Sequence, residues 1–124
     1  VTEIGIVVAE YTDGCDLNRH FGDYAEKVLK RIKYHNLWIR DNAHLKSKVK
    51  WMRGAEGDRF GRSRIVMFAE ARTIVDEIFN QPIVSDDSNL AGLKRPVVLV
   101  GCALRRDKEN IHENLGANLY ERCV

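Results

Sequence analysis

Residue types able to do chemistry gather in three places along this chain, and the largest set is basic. Between Arg40 and Arg64 stand eight Lys or Arg (Arg40, Lys46, Lys48, Lys50, Arg53, Arg59, Arg62 and Arg64) against Asp41, Glu56 and Asp58, so the window carries +5 and the remainder −3. Lys46, Lys48 and Lys50 occupy every second position. On a strand they project from one face about 7 Å apart, commensurate with nucleic-acid phosphates, whose neutralisation supplies most non-specific affinity. Trp51 and Phe60 add faces on which bases stack, and Arg53, Arg59, Arg62 and Arg64 flank or sit in a glycine-rich loop suited to wrapping a backbone. The spacing predicts a nucleic-acid-binding surface made of these nine residues beyond Arg40. A plainer explanation stands beside it: alternating lysines guard an edge strand against pairing with another chain, and Trp51 is core.

The second set follows the first apolar run. In Glu10-Tyr-Thr-Asp-Gly-Cys-Asp16, Cys15 lies close to the start of a helix, with His20 a turn later and Asp13 beside it. A helix N-terminus and a nearby imidazole depress a thiol pKa and make a nucleophile. Asp13 and Asp16 oppose this, because adjacent carboxylates disfavour a thiolate; a turn residue and a helix cap explain them more simply. The third set, Asp86 and Asp87 with Glu10, has the donor chemistry for Mg²⁺, although acids in a polar loop are ordinarily solvated. Arg105-Arg106 extends either site or is plain surface. Neither Gly-x-x-x-x-Gly-Lys-Ser/Thr nor Gly-x-Gly-x-x-Gly occurs, so no phosphate-cradling glycine motif is present.

Composition limits the classes. With 44% hydrophobic and 31% charged residues in 124, the chain reads as one ordinary globular domain, 1–124, large enough to fold without metal or disulfides. Cys15, Cys102 and Cys123 are odd in number and far apart, which points to reduced thiols. The histidines lack zinc-site spacing. No metal and no cofactor are expected. No apolar run reaches membrane-spanning length, and the opening Val-Thr-Glu-Ile has no basic region before an apolar core, so a cytoplasmic protein away from membranes is the expectation.

The elements that must position these groups follow from periodicity. Arg62–Phe79 carries the longest clean helical period, with Met67, Phe68, Ala71, Ile74, Val75, Ile78 and Phe79 on one arc. Its front end, Arg64–Phe68, also reads as a short strand feeding the helix. Glu3–Glu10 is apolar on both alternating faces and predicts a central strand. Leu17 to Ile32 recurs at helical spacing, Asn36–Arg40 is a short strand, and Leu45–Met52 alternates as its hairpin partner or, with Leu45, Val49 and Met52 as a stripe, forms a helix. Gly54–Gly61 is loop. Pro96–Leu104 is apolar on both faces and predicts a fourth strand, and Asp107 is placed to cap a closing helix with Ile111, Leu115, Leu119 and Cys123 as its stripe.

The order β-α-β-β-α-β-α matches a ferredoxin-like βαββαβ sandwich with an added C-terminal helix, its first and last strands in the sheet interior. A strand at Arg64–Phe68 and a helix at Lys46–Met52 would make it a small doubly wound α/β sheet instead. The functional expectation is an α+β module that binds RNA or DNA through Arg40–Arg64 without catalysis. Alongside it stands an interaction module whose basic edge meets an acidic protein or a second copy of the chain as a homodimer. A small enzyme using Cys15, His20 and Asp13 comes third.

Overall fold

The structure, a computed structural model, describes residues 1–10, 26–45 and 62–116. In chain order these form β1 (Glu3–Val8), a single helical turn α1 (Glu26–Leu29), β2 (Lys33–Ile39), β3 (Ser63–Val66), α2 (Phe68–Phe79) and α3 (Leu104–Leu115). The result is a small α+β fold with a three-stranded sheet in the order β1-β2-β3.

β2 is the centre of that sheet. It runs antiparallel to β1, with Glu3 opposite Trp38 and Val8 opposite Lys33, and parallel to β3, with Leu37 opposite Arg64 and Ile39 opposite Val66. Because side chains alternate across a strand, Ile4, Leu37, Ile39 and Val66 share one face, and all four are buried. α2 covers that face with Ala71, Ile74, Val75 and Phe79, and α3 adds Leu115 to the same cluster. The helical arc read from sequence is therefore the buried one, with Phe68 and Ile78 at its margin and Met67 outside it, at the position preceding the helix.

Met67 gives α2 no side-chain cap. The acceptor comes instead from the 3-10 turn Arg40–Asn42 that follows β2: the Phe68 N–H donates to Asp41 Oδ2 at 2.9 Å. A carboxylate at this end satisfies an orphan donor and opposes the positive end of the helix dipole. In the same turn Asn42 Nδ2 donates to the Val1 carbonyl at 2.6 Å, tying the start of the chain to the exit of β2.

Several expectations change. The four-stranded ferredoxin-like arrangement is not what the described residues form: β1 lies at a sheet edge, and it pairs antiparallel with β2. The helix expected to reach Ile32 gives way to a turn at Lys30 and Arg31, because β2 starts at Lys33 to match the length of β1. The strand reading of the segment before α2 holds in part, as Ser63–Val66. Pro96–Leu104 makes no named strand. α3 begins at Leu104, so Asp107 lies in its first turn rather than capping it, and Gly116 ends the helix in the left-handed region at φ 63°. That conformation suits glycine at a helix C-cap. Leu45–Met52 falls mostly outside the described residues, as do Leu119 and Cys123.

Replacing Asp41 by Ala should cost about 1 kcal/mol of stability, the usual scale for loss of a helix-capping acceptor, and D41N should recover part of it. Urea unfolding with an unchanged slope would report this as a lower midpoint; an unaltered midpoint for D41A would remove the long-range cap from the account.

Candidate functional site

Most of the residues singled out from sequence lie outside the described residues: Lys46, Lys48, Lys50, Trp51, Arg53, Arg59 and Phe60 of the basic window, and Asp13, Cys15 and His20 of the turn after the first strand. Arg62 and Arg64 are described, and both are exposed beside or on β3. Arg64 is drawn to a carboxylate, with Nη2 at 3.0 Å from Glu70 Oε1. Arg105 likewise pairs with Glu109 at 3.2 Å along α3.

The acidic residues are spread among separate tasks. Asp87 Oδ1 accepts from the Asn89 backbone N–H at 2.9 Å and from Asn89 Nδ2 at 3.0 Å, closing the 3-10 turn Ser88–Leu90. Asp86 is exposed. Glu10 is engaged by two cations: Lys33 Nζ stands 2.6 Å from Oε1 and Arg95 Nη1 stands 3.3 Å from Oε2. Among the described residues no group of three or more His, Cys, Asp or Glu is placed to hold a metal ion.

This Glu10 clamp was not foreseen, because its partners are remote in sequence. It joins the end of β1 to the start of β2 and to the strand-like segment entering at Arg95. The hydrogen bond and charge of Lys33, followed by the contact with Arg95, hold the Glu10 carboxyl below the ordinary glutamate value, with a small opposing effect of burial. The Arg95 backbone N–H is itself fixed, donating to the Gln81 carbonyl at 2.9 Å across the Pro82–Lys94 bridge.

Beside the clamp runs a concavity along the outer edge of β1. The Ile39 N–H donates to the Thr2 carbonyl at 2.9 Å. Given the antiparallel register, Ile4, Ile6 and Val8 are then the residues that exchange bonds with β2, and Glu3, Gly5 and Val7 turn their N–H and C=O groups outward. Those groups face a groove of about 680 Å³ whose other wall is Val98–Gly101 with Leu104 and Asp107. A second hollow of about 480 Å³ continues along Ile6–Glu10 against Arg95–Leu99. The lining is mainly apolar, with main-chain donors and acceptors along one side. Main-chain donors and acceptors along one side of an apolar groove have the geometry with which an extended segment pairs.

On the opposite face of β2 from α2, Asn36 is buried and its Nδ2 donates to Ser63 Oγ at 3.1 Å, linking β2 to β3. Trp38 shares that face and is half-buried. None of the described helices is long and apolar enough to cross a membrane.

Because Glu10 is held below its ordinary pKa in the fold, its contribution is complete above the glutamate value of about 4.3 and disappears as pH falls through the folded value. Glu10→Gln should therefore lower the urea midpoint near neutral pH and leave little difference from wild type in strong acid. An equal difference at both pH values would contradict the clamp.

Compared with known proteins, residues 1–123 match a family model described as DNA polymerase III subunit epsilon-like, C-terminal domain. No curated protein and no solved structure matches the chain significantly. The family match overturns the expectation of a non-catalytic nucleic-acid-binding module and points to a nuclease-associated domain in a DNA-related context.

Proposed function

The chain belongs to the DNA polymerase III subunit epsilon-like C-terminal domain family, and on that premise we propose that it works as a nuclease-associated domain, assisting an epsilon-like nuclease in its handling of DNA. The observation that carries this reading is the extent of the match. Residues 1–123 include every described element, from β1 to α3.

Within this proposal the basic positions acquire a specific part. Lys46, Lys48, Lys50, Arg53, Arg59, Arg62 and Arg64, with Trp51 and Phe60, supply the charge and stacking surfaces that draw DNA toward the associated nuclease. The window carries +5 against −3 in the rest of the sequence, a balance whose field favours a polyanion. Such a field acts on encounter and on ground-state affinity, not on bond cleavage.

The test is steady-state digestion of single-stranded DNA by the nuclease that carries this domain, with Lys46, Lys48 and Lys50 replaced together by Glu. KM should rise about tenfold at low salt and converge with wild type at high salt, while kcat stays level. An unchanged KM at low salt would overturn the assignment of these lysines, and an unchanged rate after removal of the whole domain would overturn the accessory role.

A further inference from the structure

The segment facing β1 has the side-chain pattern of a strand, although among the described residues it joins no named strand and carries a bridge position only at Val97. Val97 and Leu99 pack against the core, while Val98 and Val100 are 71% and 92% exposed. β1 alternates in the same sense, with Ile4 and Ile6 turned toward the core and Val7 60% exposed. The two runs also lie in opposite directions: Arg95–Leu99 flank Ile6–Glu10, whereas Val100, Gly101 and Leu104 join the groove that extends to Val1–Gly5.

The Arg95–Glu10 contact at 3.3 Å selects among the possible registers. We propose that Val97–Cys102 closes onto β1 as a fourth, antiparallel strand, with Val98 opposite Val7, Val100 opposite Gly5 and Cys102 opposite Glu3. This register keeps both alternations in phase. Val97, Leu99 and Gly101 fall opposite Val8, Ile6 and Ile4 on the core side. A Cβ at position 101 would stand 2.7 Å from Leu104 Cδ2, so the glycine leaves that side chain in place.

Closure gives the outward main-chain groups of Glu3, Gly5 and Val7 partners from the segment already beside them, and it removes the groove. β1 changes from an edge strand to an interior one. The segment is anchored at both ends, by the Glu10 clamp before it and by α3 after it, so closure needs no rearrangement of the core. Ala103, the residue preceding α3, has φ 58°. It marks the sharp turn at which the strap meets the helix.

Amide hydrogen exchange of the ¹⁵N-labelled protein distinguishes the two arrangements. With the groove open, β1 amides alternate, slow at Ile4 and Ile6 and fast at Gly5 and Val7. With the strap closed, Gly5, Val7, Val98 and Val100 should all exchange at least about 100-fold more slowly than an unstructured chain. An Hα–Hα Overhauser contact between Ile6 and Leu99 should identify the register, and Val100→Pro should return Gly5 to fast exchange without affecting Leu37. Fast exchange at Gly5 and Val7 beside slow exchange at Ile4 and Ile6, absence of the Ile6–Leu99 contact, or continued slow exchange of Gly5 in V100P would each overturn the proposal.

Discussion

The packing of Leu37 and Ile39 against α2 is the constraint from which the rest of the structure follows. Both side chains are 1% exposed, on the strand that has neighbours on both sides. Their strand must present one face to α2 along its whole length, so a register slip of one residue would turn Asn36 and Trp38 into the apolar interface. Antiparallel pairing on one side and parallel pairing on the other then fix where β1 ends and where β3 must begin. Parallel neighbours cannot be joined by a tight turn, and the long connection from β2 to β3 carries seven of the eight basic residues of the Arg40–Arg64 window.

The described part of the surface divides along the same lines. On the α2 and α3 side, charges are mostly partnered locally, as in Arg64 with Glu70 and Arg105 with Glu109. At the far edge of the sheet, β1 leaves main-chain groups facing an apolar groove, with Glu10 joining three stretches of chain at one end. Surface ion pairs of this kind contribute little individually to stability. Their importance here is geometric, because the Glu10 contacts decide which residues lie beside β1.

The parts of the fold that could be read from sequence were those in which a single period dominates. Ala71, Ile74, Val75 and Phe79 recur at helical spacing, and they are the buried residues of α2. Glu3–Val8 announced itself as a strand, although its place at the edge depends on pairing and not on composition. Pro96–Leu104 forms no named strand, because a Val-rich run records a preference for extended backbone and says nothing of whether a ladder forms. Asp41 and Glu10 carry no local sign of their tasks: one caps a helix 27 positions later, and the other holds a lysine 23 positions away. Of the candidate site, composition conveyed the charge asymmetry alone. The DNA-related context and the association with nucleases emerged from family comparison, since no short motif encodes them.

The carboxylate of Asp41 has a consequence beyond the helix whose first amide it receives. It belongs to a turn that also holds the Val1 carbonyl through Asn42, so the beginning of the chain, the exit of the central strand and the start of α2 meet at one junction. Separate pieces of secondary structure are thereby made to share a fate. Loosening this knot would release β1 and α2 together, and the domain should come apart as a single cooperative unit from that corner.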